Sequence, residues 1–158
     1  MPKLYFLPGN PIPWARSGYN RNTACIYDRQ KLERIQLKLL LEHQHGKLPF
    51  YSGPLFLFAT FYMPIGKSYS PKKRSEMEDA YHTKKPDKDN LEKWLLDVCT
   101  KVLFNDDCLI CDSSVRKRYS TNPRTVFSII EMDNHGNRDN GTKTDTEEEA
   151  EIYTSFFD

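Results

Sequence analysis

The stretch HTKKPDKDNLEKWLLDVCTKVLFNDD, residues 82–107, decides how the chain is read. Leu91, Leu95, Val98 and Val102 recur at helical spacing and predict a helix from Asp89 to about Leu103, with Trp94 on its flank. Asp87 and Asp89 stand at its mouth, and Lys93 follows one turn on. Asp106 and Asp107 come just past its end. Asp89, Lys93 and Asp97 are spaced i, i+4, i+8, so they share a face away from the apolar stripe. One aspartate is enough to cap a helix. A second beside it costs repulsion unless something cationic sits there.

Each residue also has a plainer reading. Asp89 to Glu92 fits a capping box, and Asp87 could be the cap instead. Lys93 and Asp97 can form a surface ion pair worth only a few tenths of a kcal/mol. Asp106 and Asp107 suit a turn. Against these stands the hard-oxygen chemistry of Mg²⁺, which keeps waters and takes a few carboxylates plus phosphate oxygens. Asp87, Asp89 and Asp107 supply such ligands, with Asp106 as a further candidate. One metal would acidify a bound water for attack on a phosphodiester, and a second would stabilise the leaving oxygen. Lys93 would neutralise developing charge or orient a carboxylate. The Cys108-x-x-Cys111 pair, with Cys99 or His82, is a weaker candidate for structural zinc, since no matching second pair follows.

With 158 residues the chain is expected to form one domain with a real core. It has no apolar run near the roughly 20 residues of a membrane span. The opening MPKLYFLPGNPIPW is broken by prolines and lacks a signal-peptide apolar region, so a soluble, cytoplasmic protein is expected, with no membrane partner. Four cysteines suggest reduced thiols rather than a disulfide framework.

The formal net charge of +1 hides an asymmetry. Residues 133–158 hold eight acidic and two basic side chains, a balance of −6, which leaves +7 on residues 1–132. A basic body suits a polyanionic partner, although +7 is also an ordinary surface charge. Two domains of sequence follow: residues 1–132 as the folded unit, and residues 133–158 as an acidic tail expected to be disordered over much of its length.

The other segments frame the motif. Lys3 to Leu7 reads as a short strand. Trp14 to Thr23 reads as a loop whose Arg16 and Arg21 can grip phosphates, or as a surface loop with Trp14 tucked into the core. A first helix is expected from Asp28, as N-cap, to about His45, stopped by Gly46 and Pro49. Its Leu32, Ile35, Leu39 and Leu40 are expected to face the core, and His43 and His45 to be structural. Pro54 to Pro64, aromatic-rich and apolar on both pleat faces, predicts a central strand with helices on one side and other packing, such as a second subunit, on the other. Gly66 to Lys85 reads as a basic arm with room for a short helix at Pro71 to Ala80. Its Lys67, Lys72, Lys73, Arg74, Lys84 and Lys85 are candidate DNA contacts. Two strands close the domain. One runs from about Leu109 to Ser120 with Arg116 and Arg118 turned outward towards DNA, the other from Val126 to Met132.

Lys85-Pro86-Asp87-Lys88-Asp89-Asn90-Leu91-Glu92-Lys93, then Asp97, then Asn105-Asp106-Asp107, resembles the core motif of the RusA family of Holliday junction resolvases. That pattern reads K/R-P-D-x-D-N-L-x-K-x-x-x-D, a short gap, then N-D-D. The order of elements is similar over about Lys3 to Met132, and the tail is unmatched. The resemblance implies a small α+β homodimer with a mixed sheet and two main helices. It implies binding of four-way DNA junctions and paired symmetric cutting with Mg²⁺ or Mn²⁺. It assigns metal-binding and catalytic roles to Asp87, Asp89 and Asp107, a supporting catalytic role to Lys93 and a less critical place to Asp106, while Asp97 matches a further motif acid whose role stays open. A catalytically inactive branched-DNA-binding module of the same fold is the alternative, and a zinc-stabilised interaction protein a third.

Overall fold

The computed structural model describes residues 2–135; the expected disorder of the acidic tail lies, from residue 136 on, outside the described residues. Four strands form the main sheet: β1 (Leu4–Pro8), β4 (Leu55–Pro64), β5 (Ile110–Ser120) and β6 (Arg124–Glu131), in the order β1-β6-β4-β5. A hairpin of β2 (Gly18–Asn20) and β3 (Cys25–Tyr27) stands apart from it. The helices are α1 (Lys31–His45), the short α2 (Pro71–Met77) and α3 (Lys88–Cys99). β4 pairs antiparallel with β6 and parallel with β5, so the sheet is mixed. The parallel pair needs a crossover, and α2 and α3 lie in it.

The interior position of β4 explains its sequence. Nine of its ten residues are buried. Leu55, Leu57, Ala59, Phe61 and Met63 point to the helix side and join Tyr5, Leu41, Leu91, Leu95, Val98, Phe127 and Ile129 in the main core. Fully burying one such large side chain contributes about 1.5–3 kcal/mol. Phe56 and Phe58 point the other way, towards Ile130 and Met132.

Helix α1 corrects two expectations. It begins at Lys31, not Asp28: the Asp28 carboxylate accepts from the Gln30 N–H at 2.9 Å and pairs with Arg34, forming a local turn before the helix. Leu32, Ile35 and Leu39 do not face the core; they are 72%, 45% and 59% exposed. The inward stripe is Arg34, Leu37, Lys38, Leu40, Leu41 and His45, so Leu40 alone of the four packs against the core as expected. The Arg34 guanidinium lies over the Trp94 ring, and the Lys38 ammonium donates to the Thr100 carbonyl at 2.6 Å. Long cationic stems can cover apolar surface while their heads find polar partners, and counting only apolar residues misses such a face. His45 is structural as expected: Nδ1 meets the Tyr5 hydroxyl at 2.7 Å and Nε2 the Pro49 carbonyl at 3.0 Å. Gly46, at φ 69°, ends the helix by donating to the Glu42 carbonyl.

Candidate metal and nucleic-acid site

Helix α3 starts one residue before the expected position and stops at Cys99 rather than Leu103, because Thr100 turns extended and Lys101 takes φ 66°. Asp87 therefore occupies the N-cap position and Asp89 falls in the first turn. The Asp87 carboxylate makes no capping hydrogen bond. Its Oδ2 instead meets the Lys85 ammonium at 2.5 Å across a cis Lys85–Pro86 peptide. The capping-box reading of Asp89 fails because Asp87 holds the N-cap position, and both aspartates are exposed at the positive end of the helix dipole.

Lys93 lies one turn further on, with its ammonium 3.7 Å from the centroid of the Trp14 ring. Trp14 is half-buried against the core, and its backbone N–H donates to the Asn90 carbonyl at 2.9 Å. The Trp14 ring thus packs inward, as the plainer reading of its loop expects, and its face also carries the Lys93 ammonium. The surface ion pair of Lys93 with Asp97 is not among the ion pairs of the described residues.

The second acidic pair is elsewhere. Asp106 precedes and Asp107 opens a single 3-10 turn, Asp107–Leu109, that leads into β5. The Cys108 N–H donates to Asp106 at 3.0 Å and holds that carboxyl below the usual range, while hydrogen bonding to Asp106 pushes the Cys108 thiol up. Asp107 caps nothing and is exposed. The turn sits by the start of β5, where Ile110 pairs with Leu55 and Phe104 bridges to Tyr51. The loop before Asp87 sits by Lys117, whose ammonium donates to the Lys84 and Pro86 carbonyls at 2.8 and 2.7 Å. Seven residues of strand separate Ile110 from Lys117, about 23 Å at an ordinary strand rise. Within one chain the two acidic pairs thus lie towards opposite ends of β5. Among the described residues no three His, Cys, Asp or Glu side chains are gathered to hold a metal ion. Exposed carboxylates suit a hard divalent cation in kind. In number, one chain brings together Asp87 and Asp89 and leaves Asp107 apart. The zinc alternative gains nothing here: Cys99 is buried in the core, and Cys108 and Cys111 are exposed free thiols.

The candidate DNA contacts fall into three places. Arg16 and Arg21 are exposed, before the β2–β3 hairpin and in its turn. Lys67, Lys72, Lys73 and Arg74 lie on or beside α2, which Ser70 caps by accepting from the Lys73 N–H. Lys67, Arg74, Tyr69 and Thr121 line an open groove there. Lys84 and Lys85 flank the aspartates. Arg116 and Arg118 lie on the face away from the helices, as expected, but are half-buried there: Arg116 lies over the Phe58 ring, and Arg118 lies over Tyr81 and donates to the Asp79 carbonyl and carboxylate at 2.7 and 3.0 Å. Sequence reading missed Lys117 and Glu78. Glu78 accepts from the Ser120 hydroxyl at 2.6 Å and the Thr121 N–H at 2.8 Å, tying the arm to the β5–β6 turn. Only the alternation of β5, which puts Lys117 on the helix side with Val115, could have singled out that lysine.

No helix among the described residues is long and apolar enough to cross a membrane. The uncharacterized protein YqaN of Bacillus subtilis (strain 168) is 33% identical over 131 residues, covering 78% of this chain and 92% of that relative. The model of the endodeoxyribonuclease RusA family matches residues 8–130, a span that begins at the end of β1 and holds α3, both acidic pairs and all but the last residue of β6. The mixed sheet, the motif helix and that match together place the chain in the RusA endodeoxyribonuclease family.

Proposed function

We propose that the protein is a Mg²⁺-dependent endonuclease that cuts four-way DNA junctions by paired, symmetric phosphodiester hydrolysis, acting as a homodimer. The observation that carries this is the pair of exposed aspartates, Asp87 and Asp89, at the N-terminal end of α3 with Lys93 one turn on. Family membership supplies the reaction class.

Asp87 and Asp89 would hold the metal with Asp107, and Asp106 is left to its turn. Since Asp107 lies by the start of β5 and Asp87 towards its other end, a second copy related by a two-fold axis is the natural source of the third carboxylate. The exposed Leu32, Ile35 and Leu39 give the chain apolar surface of the kind that association buries. A two-fold dimer also matches the two-fold symmetry of a junction. When bound, Mg²⁺ acidifies a water and neutralises phosphate charge; Mn²⁺ has the same ligand preferences. Lys93 places a positive charge where the pentavalent phosphorus gathers negative charge. Lys67, Lys72, Lys73 and Arg74 on the arm, Lys84 and Lys85 beside the aspartates, and Arg16 and Arg21 on the hairpin grip backbone phosphates. Arg116 and Arg118 could join them by releasing their present partners.

Incubating the protein with a synthetic four-way junction, with and without Mg²⁺, tests this. Two symmetric nicks that require the metal are expected. A junction that is shifted in a gel with Mg²⁺ yet never nicked would instead identify an inactive binding module of the same fold.

A further inference from the structure

We infer that Lys117 is a positioning residue for the catalytic loop: its ammonium is the strut that sets Asp87 and Asp89 for the cation. The inference rests on the reading of those two aspartates as metal ligands. Backbone pairing between the arm and β5 runs from Asp79 to His82, through Asp79 N–H to the Tyr119 carbonyl, Tyr119 N–H to the Ala80 carbonyl, and His82 N–H to the Lys117 carbonyl. It stops there. Among the described residues, Thr83 to Pro86 make no backbone hydrogen bond to the strand. Over that gap the Lys117 ammonium takes both the Lys84 and the Pro86 carbonyls, at 2.8 and 2.7 Å.

The strand fixes where that ammonium can be. Lys117 pairs with Phe61 of β4, whose ring is in the main core. Its neighbour two residues on, Tyr119, packs its ring 4.6 Å from that of His82. The stem therefore rises from a rigid rung on the helix side of the sheet. An ammonium donates up to three hydrogen bonds and accepts none, so it is suited to drawing two carbonyls to one point. The second carbonyl belongs to Pro86, the residue before Asp87. Fixing it fixes the start of α3 and the angle at which both carboxylates leave the backbone. Lys117 itself need not touch DNA or the metal.

The test uses the full chain carrying Lys117→Met, which keeps the stem and removes the donors. Partners that orient metal ligands typically matter by about 10- to 100-fold in metal affinity, and a shift of that size is expected in the Mg²⁺ concentration for half-maximal junction cutting. Mn²⁺ titration followed by calorimetry should show the same weakening without any turnover. Hydrogen exchange of the Lys85–Asn90 amides should quicken in metal-free protein, while metal-free junction binding and the melting temperature stay near wild type. Should Lys117→Met not fold, Lys117→Gln, whose amide falls short of the two carbonyls, is read the same way. Unchanged metal titrations together with unchanged exchange would overturn the inference. Asp87→Asn separates the two levels. If that variant cuts normally, the metal-ligand reading fails, while the exchange data still report whether Lys117 holds the loop.

Discussion

The Lys93 ammonium rests 3.7 Å from the centroid of the Trp14 ring. A cation over an indole face gains about 0.5–2 kcal/mol, more as water is excluded. The contact holds the lysine against α3 rather than letting its four-carbon stem wander. Trp14→Leu is expected to slow single-turnover junction cutting by about 10-fold, the cost of a loosened catalytic group, and Trp14→Phe by less. Lys93→Ala should slow it further without loss of fold. Wild-type rates in Trp14→Leu would show that the ring is packing only.

Asp87 meets no cap and is held by Lys85 alone among the described residues. Asp87→Asn is expected to bring cutting down to background at any Mg²⁺ concentration. Junction binding should survive or tighten, because a negative charge near phosphate has been removed. Gel shifts and cleavage on the same junction read both outcomes, and normal cutting by the variant would remove Asp87 from the site.

His82 is 9% exposed, and its Nδ1 finds no partner among the described residues. Burial, and then the nearby Lys117 charge, lower its pKa from the ordinary 6.5. The unfolded chain therefore takes up the proton first on acidification, so stability is full above about pH 6.5 and declines as pH falls through that value. Melting curves from pH 8 to pH 5 should show the decline. His82→Phe keeps a ring against Tyr119 and should flatten it; an identical pH profile in that variant would acquit His82.

Much of this was legible in the sequence for a physical reason. The motif is contiguous, and a helix carries Asp87, Asp89 and Lys93 as one body. The β4 run, ten residues long and buried on both faces, could only be an interior strand. The β2–β3 hairpin leaves no strand signal in the sequence, because three-residue strands carry too little periodicity. The apolar spacing of α1 does not mark its buried face, because Arg34 and Lys38 lie in its inward stripe. The separation of Asp107 from Asp87 was out of reach, since it depends on how β5 aligns with β4.

The arm is latched through Glu78. Burial alone would push its carboxyl up, but the Ser120 hydroxyl and the Thr121 N–H outweigh it and hold the group below its ordinary 4.5. Its contribution is present above that pH and is lost as pH falls through the lowered value. Glu78→Ala removes two hydrogen bonds and is expected to cost about 1 kcal/mol. The arm, residues 70–80, should then exchange and be cleaved by protease faster at pH 7, with the core unaffected. Equal protease sensitivity in variant and wild type would show that the latch is idle.

The distance between the acidic pairs yields the most discriminating prediction. Suppose each site takes Asp87 and Asp89 from one subunit and Asp107 from the other. Asp87→Asn and Asp107→Asn homodimers are then both inactive. In a heterodimer of the two, one site carries both substitutions and the other carries neither. Refolding the variants together, so that subunits exchange, should restore nicking of one strand per junction, with the paired second cut missing. If all three carboxylates came from one chain, every site in the mixture would be damaged and no nicking would return. Sites that never share a subunit's residues cannot complement one another, so a mixture as inactive as its parts would rule out the shared arrangement.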